Sequence, residues 1–290
     1  GGSGVAVAGG GAVSQNVILT RTNAWIEGSV IGSDTAPVGA VDLDATSDAG
    51  IDATVGAVAA SVAFGTKAGV AVAVGIGVAR NFIGIDPYGT TVSGTVDSHA
   101  LNAAGLMDGV VVNALTTGQR IKVTHGALAG DVYEYIGPSV TDSDSAIDGN
   151  QRFDLGEQQY RDPRLWKQVN TSPRATQVQA FIADSSIDAT GALTIDADAS
   201  QRIDAIVVSA AAALGGGLKA GVAVSGAGSY AENRIRSDVK AYIDGDGAGG
   251  IEADTVTIRA DDSSGINAIA GAASLAFAIG GKAGVGVSLG

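Results

Sequence analysis

The sequence predicts an all-β protein with an elongated, repetitive architecture. Of its 290 residues, 44 are Gly and only 5 are Pro, and the Gly-X-Y period of collagen is absent. Apolar residues, mostly Ala and Val, recur with a period of two, as they do in strands. Asp-Gly, Gly-Gly and Asp-Ser groups, which favour turns, separate these stretches. Such small side chains bury apolar area only when layers stack closely, and this favours sheets over packed helices.

A Lys-Ala-Gly-Val motif recurs along the chain and defines a repeat. It occurs at 67–72, 219–224 and 282–287, with a degenerate copy at 3–7. The marker glycines of these copies are Gly4, Gly69, Gly221 and Gly284. An Asn follows the first three markers at one fixed offset, as Asn16, Asn81 and Asn233. An aromatic residue between Ala and Ile also recurs, as Trp25, Phe181 and Tyr242. Matches at several fixed offsets indicate a structural repeat.

The spacing of the markers separates a scaffold from an insert. Successive markers are 65, 152 and 63 residues apart, so the middle unit is much the longest. The other landmarks place the additional residues between Ile83 and Ala180. We therefore predict a first scaffold part over 1–84, an inserted small β domain with linkers over 85–176, and a second scaffold part over 177–290.

Two all-β arrangements fit a unit of this length. About 63 residues divide into three coils of about 21, a usual size for a parallel β-helix or β-solenoid. The unit could equally hold two long antiparallel hairpins that close at the Gly-x-Lys-Ala-Gly turn and stack on the next unit. We expect the three repeated Asn residues either to form a hydrogen-bonded ladder along the stack or to occupy turns. The repeated aromatic residues are expected to stack on one another.

Composition and charge narrow the range of functions that the chain could have. The net charge of −13 disfavours binding to nucleic acid or to an anionic membrane surface. The apolar runs are too short to span a membrane, so we expect no membrane insertion. Cys is absent, and most of the 30 acidic residues are Asp, which favours turns and calcium ligation. The sequence begins and ends within the pattern, and we interpret it as a piece of a longer chain.

These features resemble the repetitive regions of giant bacterial cell-surface and secreted adhesin-like proteins, of the RTX and filamentous-haemagglutinin style. The similarity is carried by the "GGKAGVGV" closures, by "LTIDADAS" and "VTIRADDSS", and by the bias towards Asp. The resemblance implies an extracellular or cell-surface location and stacked β-repeats. The nonapeptide Gly-Gly-x-Gly-x-Asp of calcium-binding β-rolls is absent.

The insert has a different composition, with four of the six Tyr, one of the two Trp, both His and four of the five Pro of the chain. Its segments "GDVYEYIG" and "YRDPRLWKQV" resemble those of small chitin-binding-like carbohydrate modules, although the Trp usual near the start of such modules is missing. The resemblance implies that four aromatic residues either stack on sugar rings or form the core of a small β domain. These residues are Tyr133, Tyr135, Tyr160 and Trp166.

An acidic segment of the insert, "DSDSAIDGN", is a candidate calcium site. Its candidate oxygen ligands are Asp142, Asp144, Asp148 and Asn150. Calcium prefers such oxygen ligands, but the spacing does not match an EF-hand loop, and a solvated acidic loop is the alternative. Calcium is the one cofactor that the sequence suggests.

The pattern as a whole predicts a structural segment of an extracellular bacterial fibre or adhesin stalk that displays a glycan-binding module. Its partners would be neighbouring repeats of the same chain or identical subunits, together with a polysaccharide. One alternative is a self-assembling filament subunit. Another is a β-helical polysaccharide-active enzyme, for which acidic pairs such as Asp196 and Asp198 would be candidates. No zinc, phosphate-loop or serine-nucleophile motif is present, so we expect no enzymatic activity.

Overall fold

The structure is a computed structural model that describes residues 2–88, 92–103, 105, 107–125, 128–141, 153–160, 162–170, 176–245 and 247–290. Within these ranges the chain is all-β, with mostly parallel sheets and no helix. None of the described segments is therefore a helix that could cross a membrane.

The strands fall into a repeated set and an inserted set. The first repeated strands are β1 (Gly4–Ile18), β2 (Arg21–Glu27), β3 (Val30–Ile31), β4 (Val41–Gly65) and β5 (Ala68–Ile83). The inserted strands are β6 (Thr95–Asp97), β7 (His99–Leu101), β8 (Met107–Gly109), β9 (Val111–Val112), β10 (Ala114–Leu115), β11 (Arg120–Lys122), β12 (Val132–Tyr135), β13 (Val140–Thr141), β14 (Phe153–Asp154) and β15 (Trp166–Gln168). The remaining repeated strands are β16 (Thr176–Ala183), β17 (Ser186–Asp188), β18 (Ala192–Gly217), β19 (Ala220–Ile235), β20 (Ser237–Asp244), β21 (Ile251–Glu252), β22 (Thr255–Asp262), β23 (Gly265–Gly280) and β24 (Ala283–Leu289).

The repeated strands build four parallel sheets. The first long sheet has the order β1-β5-β19-β24, and the second long sheet joins β18 to β4 on one side and to β22 and β23 on the other. Two short sheets, β2-β16-β20 and β3-β17-β21, connect them. The four marker glycines pair in register across the first long sheet, Gly4 with Gly69, Gly69 with Gly221, and Gly221 with Gly284.

Each repeat therefore adds a single strand, or two consecutive short ones, to every sheet. The prediction of three coils of about 21 residues per unit is wrong, because equivalent residues of successive units are direct neighbours in the ladder. The hairpin alternative does not describe these strands either. The strands on the two sides of the Gly65–Ala68 turn belong to different sheets, and each pairs in parallel with the next repeat.

Very small residues form the interface between the two long sheets. The side chains between them include a cluster of buried alanines: Ala59, Ala63, Ala71, Ala73, Ala211, Ala213 and Ala223. Glycines bring the backbones closer still, since a Cβ built on Gly75 would lie 2.5 Å from the backbone oxygen of Ala210. The alternation of Gly or Ala with larger residues thus sends the small side chains inward.

The same alternation sends larger apolar residues outward on both long sheets. On β4, Val58 is 75% exposed, and Val62 and Phe64 are also exposed. This exposure is not confined to the end strands, because β18 has paired strands on both sides and still leaves Ile206 43% exposed. Far from the turns that join the two long sheets, by contrast, larger apolar side chains fill the space between the second long sheet and the two short sheets. It includes Leu43, Val178, Ile182, Leu193 and Ile195.

The insert leaves the scaffold after β5 and returns at β16. Gly84 has a φ of 74°, which favours glycine, and a Cβ there would collide with the backbone nitrogen of Thr176. The two ends of the insert are therefore adjacent in space. Between them lies the small sheet β15-β12-β11-β6, in which the β11–β12 and β12–β15 pairs are antiparallel. The predicted division assigns Thr176 to the insert, whereas β16 begins at this residue.

Candidate functional site

The repeated Asn residues form a continuous row of side-chain hydrogen bonds. Asn16 Nδ2 donates to Asn81 Oδ1 at 2.8 Å, and Asn81 Nδ2 donates to Asn233 Oδ1 at 2.8 Å. Asn81 is fully buried, and its backbone pairs in register with both neighbours. Each amide needs an identical amide in the next repeat, and the row therefore favours in-register stacking.

The repeated aromatic residues form a second row on the first short sheet. The rings of Phe181 and Tyr242 are parallel within 1°, with centroids 4.9 Å apart. Trp25 stacks on the other side of Phe181 at 6.5 Å and 15°. Phe181 is fully buried, whereas Trp25 is 37% exposed. Trp25 lies on β2, which is an edge strand of this sheet among the described residues, and it is therefore the end member of the row.

The four aromatic residues assigned to sugar stacking form the core of the insert. Tyr133, Tyr135, Tyr160 and Trp166 are only 3–7% exposed. Their rings pack on one another, with centroids 4.8 Å apart for Tyr160 and Trp166, and the hydroxyl of Tyr160 donates to the Leu155 carbonyl at 2.6 Å. Burial raises the pKa of Tyr160. None of these rings offers an open face to a sugar, and the structure places them in the role of core residues.

The predicted calcium ligands Asp142, Asp144, Asp148 and Asn150 lie outside the described residues. Within the described ranges, no group of three or more His, Asp or Glu side chains has a geometry that could hold a metal ion.

A buried ion pair fastens the insert to the scaffold. Arg21 of β2 binds Asp131 of the insert through both guanidinium Nη atoms, with Nη2 donating to Oδ1 at 2.9 Å. The Asp131 side chain is only 1% exposed. Burial lowers the pKa of Arg21. Loss of one partner would leave an uncompensated charge at this junction, so the pair constrains how the insert sits on β2.

A cleft of about 670 Å³ opens between β2 and the insert. The scaffold contributes Trp25 and Glu27 to its wall. The insert contributes the remaining residues, which are His99, Val123, His125, Leu128, Gly156, Gln158, Gln159, Tyr160, Asp162, Pro163 and Arg164. The wall thus combines one exposed indole with planar polar groups, and its size is that of ordinary ligand pockets.

Two imidazole rings line the cleft, with centroids 5.4 Å apart. The Nδ1 atom of His99 is hydrogen-bonded to Ser98 Oγ at 2.8 Å, and Ser98 also accepts the backbone N–H of Thr124. Burial, followed by the charge of His125, lowers the pKa of His99 despite Asp154, Glu27 and Asp108 nearby. The environment therefore favours the neutral form of His99.

The rim of the cleft carries a pre-oriented guanidinium group. Arg164 Nε and Nη2 donate to the two carboxylate oxygens of Asp162 at 3.0 and 2.8 Å. The hydrogen bonds from Arg164 lower the pKa of Asp162 to about 2. The carboxylate is therefore ionised at neutral pH and fixes the plane of an Arg164 side chain that is 86% exposed.

A second cavity adjoins the cleft and has an acidic wall. The two cavities share Glu27, His99, His125 and Gly156. The second is also lined by the carboxylates of Asp108, Asp154, Glu157, Asp184 and Asp244. The field around the cleft is therefore negative, which disfavours anionic ligands.

Comparison with protein-family models, curated proteins and solved structures found no match. Sequence reasoning grouped Trp25 with the repeated aromatic residues and did not associate it with the insert. The cleft could not be recognised from the sequence, because its residues come from β2 and from an insert that begins about one repeat later in the chain.

Proposed function

We propose that the chain is a structural segment of an extracellular bacterial fibre or adhesin stalk. In this proposal each repeat forms one coil of a parallel β-solenoid, and the insert is displayed from the side of one coil. The observation that carries the proposal is the in-register pairing of equivalent residues through successive repeats, seen in the four marker glycines. A repeat of this kind covers its neighbour and exposes a new edge of the same shape.

Two features make stacking specific to identical neighbours. The Asn row supplies a hydrogen-bond partner only when the next repeat is in register. The Gly and Ala interface brings two backbones so close that a larger side chain has no space. The Asn row and the Gly and Ala interface both serve to pack one repeat on the next, as in a scaffold, and neither presents reactive groups.

The dimensions indicate what kind of stalk this would be. Neighbouring strands are about 4.8 Å apart, so a repeat of 63–65 residues lengthens the stack by only about 4.8 Å. A 25-residue strand such as β4 extends about 80 Å across the stack at about 3.3 Å per residue. The segment would therefore form a broad, stiff ribbon suited to displaying modules along its side.

Immunogold electron microscopy of the bacterium that makes the chain tests this proposal. Antibodies against the purified chain should label the outside of intact, unpermeabilised cells or fibres that extend from them. Labelling that appears only after permeabilisation would refute an extracellular structural role.

Self-assembly into a filament is the second candidate, and it is favoured by the apolar outer faces of the long sheets. Exposed apolar patches of this kind mark interaction surfaces. Sedimentation velocity should show association that rises with concentration and is weakened by Val62→Lys on the apolar part of β4. The matched control is Thr46→Lys, on an outward polar position of the same strand. Equal association of both variants would contradict this candidate.

A further inference from the structure

We infer that the cleft between β2 and the insert binds an uncharged oligosaccharide, with Trp25 as the ring on which a sugar stacks. This inference deepens the proposed function, on which it rests, because it assigns a ligand class to the side of the stalk where the insert is displayed. It assigns sugar stacking to Trp25 of the scaffold, while Tyr160 of the insert's aromatic core contributes only to the wall of the cleft.

The first argument concerns Trp25. A pyranose presents a patch of C–H groups that packs on a flat aromatic face, and an indole offers the largest such face in a protein. Trp25 is the outermost ring of the row Trp25–Phe181–Tyr242, stacked on Phe181 and still 37% exposed at the cleft. The row beneath it fixes the plane of the indole before a ligand arrives.

The second argument concerns the polar part of the wall. Sugar hydroxyls are best held by planar side chains that donate and accept in fixed directions. The cleft provides the carboxamides of Gln158 and Gln159, the imidazoles of His99 and His125, and the guanidinium of Arg164. His99 is held by Ser98, and Arg164 is held by Asp162, so two of these groups are pre-oriented.

Space and charge narrow the ligand class. A Cβ on Gly156 would lie 2.8 Å from His99 Nε2, so glycine keeps the wall open beside that ring. Arg164 is balanced by Asp162, while Glu27 and the adjoining acidic cavity leave the surroundings negative. Uronic acids, sulfated sugars and nucleotides would be repelled, whereas neutral hexoses and N-acetylhexosamines would not.

Saturation-transfer NMR and isothermal titration calorimetry test the inference on the whole chain. The probes are β-1,4-linked hexamers of glucose and of N-acetylglucosamine, with a hexamer of galacturonate as the anionic arm. We expect at least one neutral hexamer to bind and the galacturonate hexamer to bind at least tenfold more weakly. Trp25→Ala should reduce the affinity about tenfold.

The matched control is Tyr242→Ala, which removes the ring at the opposite end of the same row and does not line the cleft. It should leave the affinity within about twofold of the unmodified chain. Failure of both neutral hexamers to bind the folded chain, equal affinity of Trp25→Ala, or tighter binding of galacturonate would each overturn the inference. Surface labelling of cells would still be expected in each of these cases, so failure of this inference can be distinguished from failure of the proposed function.

Discussion

Replacing Gly75 by Ala should separate the two long sheets and destabilise the stack. A Cβ at this position would lie 2.5 Å from the backbone oxygen of Ala210, where real Cβ atoms essentially never come within 3.0 Å. The sheets must therefore move apart by at least about 0.5 Å. A backbone carbonyl in a paired strand cannot rotate away as a side chain would, so the movement falls on the sheets themselves.

The expected loss of stability follows from the contacts between the sheets that such a movement weakens. A gap of about 0.5–1 Å forfeits a quarter to a half of the dispersion attraction at each contact. The contacts that would be weakened include those of Ala71 and Ala73, which lie on the same strand as Gly75 and belong to the buried alanine cluster. Inserting a methyl group into a packed interior typically costs about 1–3 kcal/mol, and we expect about 2 kcal/mol here.

Urea denaturation followed by circular dichroism measures this cost. With a slope of about 3 kcal/mol per molar, the midpoint should fall by about 0.7 M. Gly228→Ala is the matched control, since Gly228 lies in the same sheet and a Cβ there meets nothing within 4 Å. The control should change stability by no more than about 1 kcal/mol, in the stabilising direction. Equal midpoints for the two variants would refute the close-packed interface.

Three further predictions concern the Asn row, the insert and pH. Asn81→Ala leaves two neighbouring amides without their partner and should cost about 2 kcal/mol in urea denaturation, and a cost below about 0.5 kcal/mol would contradict the row. Deletion of 85–175, which joins Gly84 directly to Thr176, should leave a folded scaffold with a strand-type circular dichroism spectrum; an unfolded product would show that the scaffold depends on the insert. Because burial and His125 lower the pKa of His99, the folded chain binds this proton less readily than the unfolded chain. The contribution of His99 to stability should therefore be complete above pH 6.5 and lost as the pH falls through its lowered pKa, and thermal unfolding of His99→Gln should lack this component.

Sequence periodicity was sufficient for the strands and for the equivalence of repeats. The marker glycines that define the repeat are direct neighbours in the first long sheet, and the alternation in β5 assigns its small residues to the interior. Periodicity could not give the separation in sequence between paired strands. A 63-residue repeat fixes which residues are equivalent, but strands that pair one repeat apart and strands that pair about 21 residues apart satisfy it equally well.

The candidate site was less predictable, for a physical reason. An aromatic residue on a short strand can face a core or a ligand, and the local pattern around Tyr133 or Trp166 is the same in both cases. In the described part of the insert the four rings make up half of the buried core cluster, so they are needed for its own core. Trp25 could be grouped with Phe181 and Tyr242 by its spacing, but its exposure depends on where the insert folds back.

Disulfide formation between engineered cysteines tests the parallel stacking of repeats most directly. The chain has no Cys, so each pair reports without background. The in-register pairs are Val7→Cys with Val72→Cys, and Val13→Cys with Val78→Cys. Neighbouring strands are about 4.8 Å apart, within the Cα range of a disulfide, whereas six residues along a strand span about 20 Å. Mass spectrometry of the oxidised, proteolysed chain should show both in-register bonds and neither of the crossed bonds, 7 with 78 or 13 with 72. Crossed bonds without the in-register ones would show antiparallel pairing and contradict the stack.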